Sequence, residues 1–232
     1  MRNPALVLIG LAGVGITTWL GLTWAPSVSS EAFDAPYAQR IFYLHVPSAW
    51  AAMISFAVLF VGSLMWWTKR SDLGWRMHVA SSEAGLVTGS MATMSGCIWG
   101  AAEWGVPWDW TDPRLNTFAL LTALAAFLVL ARRGERDGEE QRDVFSTVGL
   151  FGFILVPVTY IATRIWEVRH PGPVVGTNEG SLDGDMGLVL AIGALSMTVV
   201  VVGHILHSMR LAQLEARLST IQRHHDERGV MG

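Results

Sequence analysis

The stretch WGAAEWGVPWDWTDPR, Trp99 to Arg114, places four of the chain's eleven tryptophans within sixteen residues. Gly100, Gly105, Pro107 and Pro113 interrupt it, and Trp spacings of five, four and two fit no single helical face. The expectation is therefore a loop, with no regular helix running through it. Burying one indole removes roughly 150–250 Å² from water, about 4–6 kcal/mol gross at ~25 cal/mol per Å². A loop does not leave four such rings in solvent; they rest on a membrane, on a partner chain or on a flat ligand.

Outward from this stretch the chain is apolar. Six segments, 5–25, 46–68, 77–98, 115–131, 144–163 and 186–204, are long and apolar enough to span a bilayer, which takes about 20 residues each. The fourth is the shortest, so it stands nearly upright or thins the bilayer. The first follows Arg2, but its apolar run of about 21 residues exceeds the usual core of a secretory signal, so it is expected to stay as an anchor. With 51% hydrophobic and 15% charged residues and a mean hydropathy of +0.39, the composition excludes an ordinary soluble domain. A net charge of −3 without a basic tract gives nucleic acid no purchase. The single cysteine, Cys97, excludes an internal disulfide framework, a zinc cluster and a CxxCH heme-attachment motif.

With the N-terminus cytoplasmic, twelve of the sixteen lysines and arginines fall on the inner side. The outer side keeps Arg40, Arg114, Arg164 and Arg169. The positive-inside rule then puts both termini in the cytoplasm. Three outer loops result, 26–45, 99–114 and 164–185, the Trp-rich one lying between spans three and four. The inner loop 132–143 reads as a solvated turn. Residues 1–232 form one membrane domain with a cytoplasmic tail, 208–232, in which Leu211, Leu214, Leu218 and Ile221 recur at helical spacing. That tail is expected to be an interfacial or partner-facing helix.

Each flanking outer loop carries one histidine. His45 sits in RIFYLHVPSAW and His170 in RIWEVRHPGP. Two imidazoles beside an aromatic platform suit a heme, whose faces stack on indoles and whose iron accepts two axial nitrogens. Its propionates need cations; Arg40, Arg114 and Arg169 lie on that side, and a guanidinium grips a carboxylate through two parallel bonds. Each part also has a plainer reading. Tryptophans anchor at membrane interfaces, a histidine at a helix mouth can be structural, and arginines pair with headgroups. Asp109 and Asp112 would hold the loop in water. His78 and His204, near the inner span ends, form either a second bis-imidazole pair or interfacial residues. Glu83, inside the third span, is a costly acid whose partner is sought in His78, Ser81 or Ser82. His224 and His225 fall in the polar tail.

At these residues the sequence resembles the heme-handling WWD-domain membrane proteins, and among them the CcmC (heme exporter protein C) family of cytochrome c maturation. The family pattern is close to WGxxxWGxxWxWDxR. It is matched by Trp99, Gly100, Trp104, Gly105, Trp108, Trp110, Asp112 and Arg114, and RxxxxHVPxAW is matched from Arg40 through His45 to Trp50. The second family histidine matches His170. Thr111 separates Trp110 from Asp112, and Trp108-Asp109 is an alternative registration, so both aspartates stay candidates. The resemblance covers nearly the whole chain. Its larger relatives, the CcmF and CcsA proteins, carry more spans than this length accommodates.

The resemblance implies an all-α, six-span protein of the bacterial inner membrane, with its functional loops on the periplasmic side and no enzymatic activity. It would hold heme b noncovalently and transiently on Trp99, Trp104, Trp108 and Trp110, with His45 and His170 as axial ligands. It would pass heme to the chaperone CcmE in an ABC-transporter-like complex with CcmA, CcmB and CcmD. Two alternatives stand beside it: an exporter's permease subunit with no heme site, and a bis-histidine membrane oxidoreductase using His78 and His204. No phosphate-binding loop is present, so ATP hydrolysis belongs to another chain.

Overall fold

In a bilayer every backbone N–H and C=O must be bonded within its own segment, so apolar runs of this length fold as helices. The computed structural model describes residues 3–28, 33–134, 137–165 and 182–230. In chain order the helices are α1 (Asn3–Thr23), α2 (Phe42–Lys69), α3 (Asp72–Trp104), α4 (Pro113–Gly134), α5 (Glu139–Gly152), α6 (Leu155–Ile165) and α7 (Gly184–Val230), with a 3-10 turn, Ala38–Ile41, leading into α2. No strand occurs among the described residues. The chain is an all-α membrane protein, as expected.

Among the described residues five helical stretches, Pro4–Thr23, Ala38–Lys69, Pro113–Gly134, Glu139–Ile161 and Gly184–Gln222, are long and apolar enough to cross a membrane. The expected third span, 77–98, lies in α3, which falls short of that hydropathy and packs against α2, α4 and α7. Its hydroxyls donate to carbonyls of its own helix, as Ser81 does to Met77, Thr88 to Ala84 and Ser95 to Met91. That satisfies them without water and lets a Ser- and Thr-bearing helix run among the other spans.

The fifth span is broken, which its hydropathy did not foretell. α5 ends at Gly152 and α6 starts at Leu155. Pro157 has no N–H to continue a helix but is tolerated in a first turn, the position it takes in α6. The linking residues use shorter-range bonds, Ile154 N–H to Phe151 O and Val156 N–H to Phe153 O.

The most extensive packing joins α2 to α3. At the crossing Gly62 faces Gly74. A β-carbon on Gly62 would lie 2.6 Å from His78 N and 2.7 Å from Gly74 O, so this backbone approach needs glycine. The adjoining core is Phe56, Leu59, Trp66, Leu121, Leu128 and Phe145. α7 packs along α1, and near its start Met186 and Val189 join Tyr43 and Ala25 in a separate cluster.

The end of the bundle opposite the Trp-rich stretch is more tightly tied than a solvated turn. Arg142 bonds Asp137 at 2.6 Å and Asp72 at 2.8 Å, and its guanidinium lies over the rings of Trp66 and Trp75. The bond from Arg142 holds the Asp137 carboxyl below the usual carboxylate range. Arg70 pairs with Asp143, which also accepts from Trp66 Nε1 at 2.9 Å. Glu83 finds its partner across the bundle in Arg132, at 2.7 Å, and accepts from Ser208 Oγ at 3.2 Å. The expected neighbour, His78, goes elsewhere: it is 1% exposed, its Nδ1 is 2.8 Å from Ser63 Oγ, and its ring stacks on Trp75 at 5.0 Å. His78 is therefore a core residue and not an interfacial one. The tail expectation of a helix is met: α7 continues without a break to Val230, 47 residues or about 70 Å at 1.5 Å per residue.

Candidate functional site

The end of the bundle that carries the Trp-rich stretch also gathers the close of α1, the entry to α2 and the start of α4. Contrary to the loop expectation, α3 runs on through Trp99, Gly100 and Trp104 and stops only at Gly105. The break comes there because Gly105 takes a left-handed conformation, φ 72°, that ends a helix cheaply. Gly100 is not a breaker. A β-carbon there would come within 3.0 Å of the Trp104 ring and 3.2 Å of Val106 O. The glycine makes room for the indole and for the turn that folds back over it.

The four indoles form two edge-on pairs. Trp99 and Trp104 have centroids 5.1 Å apart at 62°, and Trp108 and Trp110 are 5.8 Å apart at 63°. Trp110 is 81% exposed, an unusual degree for so large an apolar ring.

Asn116, on the first turn of α4, fixes the second pair. Its Oδ1 accepts from Trp108 Nε1 at 3.3 Å and its Nδ2 donates to Trp110 O at 2.8 Å. The two aspartates separate by role. Asp109 Oδ1 accepts from the Thr111 N–H and hydroxyl, an Asx turn within the loop. Asp112 is 2% exposed, so it does not hold the loop in water. Its carboxylate accepts from Arg114 N–H at 2.8 Å and Leu115 N–H at 3.4 Å, capping α4 with Pro113 at the first helical position. Asp112→Ala should therefore cost about 1 kcal/mol of stability, the usual value of a lost N-cap. Thermal unfolding of the solubilised protein will show a larger loss for Asp112→Ala than for Asp109→Ala.

His45 lies in the first turn of α2, held against α3. Its Nδ1 is 3.0 Å from Ala92 O and 3.1 Å from Ser95 Oγ, and Gly96 leaves space for the ring, whose Cε1 is 3.1 Å from where a β-carbon would sit. A carbonyl only accepts, so Nδ1 carries the proton and the lone pair of the neutral ring is on Nε2. Ala92, Ser95, Gly96, Trp99 and Glu103 recur at helical spacing along α3, so His45 packs one turn below Trp99 on the same stripe.

The other end of that stripe carries a residue that no motif marked. The Glu103 carboxylate accepts from Asp34 N–H at 3.1 Å and Ala35 N–H at 2.9 Å, fastening the segment between α1 and α2 to α3. Glu103 and Asn116 bear no motif chemistry by themselves; their position inside the Trp-rich stretch and just after it was the available signal.

Arg40, in the 3-10 turn, donates to Gly21 O at 2.5 Å and to Ser27 Oγ at 3.0 Å, closing the last turn of α1. With Trp99, Tyr37, Tyr43, Leu22 and Ile98 it lines a cavity of about 330 Å³, small for a ligand site. Arg40→Lys keeps the charge but offers one ammonium where two guanidinium nitrogens now bond. Faster proteolysis near residues 24–28 in Arg40→Lys than in the native protein is the expected result.

Arg40 and Trp99 thus line one cavity, His45 packs on α3 one turn before Trp99, and Trp104 meets Trp99 edge-on, whereas Trp108 and Trp110 form a separate pair tied to Asn116 on α4, the helix that Asp112 caps. His170 and Arg169 lie outside the described residues. Among the described residues no cluster of three or more His, Cys, Asp or Glu is placed to hold a bare metal ion. One oriented imidazole on α2, one turn from the Trp99 indole on α3, is chemistry that fits a metal carried in a flat apolar frame. The inner histidines do not form such a set. His204 Nε2 is 3.9 Å from Glu83, while His78 is enclosed by Ser63, Trp75 and Gly149.

Comparison with known proteins agrees with this arrangement. The family model described as CcmC, heme exporter protein C, matches residues 3–224. The chain is 27% identical over 187 residues to heme exporter protein C of Bradyrhizobium diazoefficiens, covering 79% of this chain and 70% of that one. It is 25% identical over 194 residues to heme exporter protein C of Rhodobacter capsulatus, covering 82% and 80%. An all-α membrane fold with its tryptophans, an oriented histidine and a capped Asp-Pro-Arg turn at one end, matched over nearly all its length, makes this chain a member of the heme exporter protein C family.

Proposed function

We propose that this protein holds heme noncovalently at the Trp-bearing end of its bundle and releases it to a carrier protein. Family membership makes it a heme-handling membrane subunit of cytochrome c biogenesis. The finer reading gives each residue a task. His45 offers Nε2 as one axial ligand, its ring set by the Ala92 carbonyl through Nδ1. His170 supplies the other. Trp99 and Trp104 on α3, with Trp108 and Trp110 on the turn, present apolar rings to the porphyrin faces and shield them from water. Gly100 and Gly105 shape the backbone that carries them, and Asp112 fixes the start of α4, which carries Arg114. Arg114 is the first partner for a propionate. Arg40 adds positive charge while clamping α1.

The observation that carries this reading is the oriented His45 one turn below Trp99. The exposed Trp110 supports release, since a ring so open to solvent suits a surface that a second protein must approach. The acceptor is the heme chaperone CcmE, and CcmA, CcmB and CcmD complete the complex. The chain works in the bacterial inner membrane with this end in the periplasm and both termini in the cytoplasm. It makes and breaks no covalent bond.

The test is the absorption spectrum of the protein purified from cells supplied with heme, before and after mixing with purified CcmE. A heme band on this protein that moves to the chaperone fits the proposal. A protein that never acquires the band, alone or with the chaperone, overturns it and favours a permease without a heme site.

A further inference from the structure

α7 does not end where its membrane-crossing part ends. From Leu211 onward it leaves the bundle, and Leu211, Leu214, Leu218 and Ile221 are 45%, 44%, 59% and 65% exposed. Arg210, Glu215 and Arg217 beside them keep this stretch out of the hydrocarbon, so exposed apolar side chains along one helix face here need a cover. Their spacing of three, four and three is that of positions a and d in a heptad. Laid on a helix, the four fall within an arc of about 80°, narrower than the ≳ 100° stripe by which a helix packs on a globular core or lies in a membrane surface.

The charges beside the seam say what covers it. With Leu211 at a, Arg210 and Arg217 take g positions and Glu215 an e position. In a parallel pair of identical helices each g residue meets the e residue of the following heptad on the other copy. Arg210 of each copy then faces Glu215 of the other, two opposite-charge pairs. An antiparallel pair would put arginine against arginine and glutamate against glutamate. Two copies anchored in one membrane with the same orientation can meet only in the parallel sense. Against a lipid surface Arg210 and Arg217 on one edge of the stripe would attract anionic headgroups and Glu215 on the other would repel them, so charge does not select lipid; the narrow arc and the Arg210–Glu215 complementarity select a second copy.

We propose that residues 211–222 form a parallel coiled-coil seam between copies of this chain. Two heptads are too few to associate as an isolated peptide. The membrane anchors supply the parallel alignment and the high effective concentration that a short seam requires. This goes beyond the heme reading and does not depend on it.

Single cysteines introduced in a Cys97→Ser background test it in native membranes of the full chain. Leu214→Cys, on the seam, should give a disulfide-linked species of twice the chain mass several-fold more readily than Gln213→Cys or Thr220→Cys, which point away. Glu215→Arg should reduce that product, and adding Arg210→Glu should restore it. Because the arm lies outside the bundle, these variants leave the membrane helices intact. Equal linking at seam and outer positions, or no linking at Leu214→Cys, overturns the proposal. So does quenching of a probe at that cysteine by lipid-attached nitroxide, or exclusive linking to a protein of different mass.

Discussion

Gly96→Leu is expected to weaken heme retention by about 10–100-fold, the usual cost of disturbing a ligand's supporting shell, although glycine offers no ligand. A β-carbon at residue 96 would stand 3.1 Å from His45 Cε1, closer than an ordinary contact, and a leucine side chain would drive the ring off α3. The displaced imidazole loses its Nδ1 contacts with Ala92 O and Ser95 Oγ, and with them the orientation of Nε2. Gly96→Ala should give a smaller loss, and Ser95→Ala smaller still, because the Ala92 carbonyl remains. His45→Ala should be the most severe of the series. Heme content per mole of purified protein ranks the four variants. If Gly96→Leu retains heme like the native protein, α3 does not set the His45 ring for its ligand.

Gly62→Val should destabilise the bundle by about 3 kcal/mol, the upper part of the range for overpacking. The added atoms would fall on His78 N and Gly74 O, backbone atoms that cannot rotate away, at the main packing surface of the bundle. The helices must separate, and the neighbouring core of Phe56, Leu59 and Trp66 loses contact with them. A β-branched residue adds stiffness at χ1, which closes the one route of escape. Gly187→Ala is the matched control, since a β-carbon there meets nothing within 4 Å. It should leave stability unchanged or raise it by about 0.5–1 kcal/mol through helix propensity. Thermal unfolding in detergent distinguishes the two.

The apolar spans were legible because apolar length is a local property, and so was the helical arm, whose leucines repeat at helical spacing. The end of α3 was not. Gly100 read as an interruption, yet its function is steric and depends on where the Trp104 ring and Val106 O lie. The break at Gly152 was hidden because a short kink leaves hydropathy unchanged. Glu83 was recognised as a costly group, but its partner Arg132 is 49 residues away and only the packing of α3 on α4 reveals it. Asp112 and Asp109 were indistinguishable by spacing; burial and the hydrogen bonds at the start of α4 separate them. His45 was found from its surroundings in sequence, whereas the carbonyl that sets its tautomer is on another helix.

Heme held at the Trp-bearing end through His45, and not by the inner histidines, makes a direct demand on binding. Titration of the purified protein with hemin, followed by its absorption band, tests it with three proteins: native, His45→Ala and His204→Ala. Saturable binding by the native protein and by His204→Ala, and its loss in His45→Ala, is the expected result. Retained binding in His45→Ala together with loss in His204→Ala would contradict it.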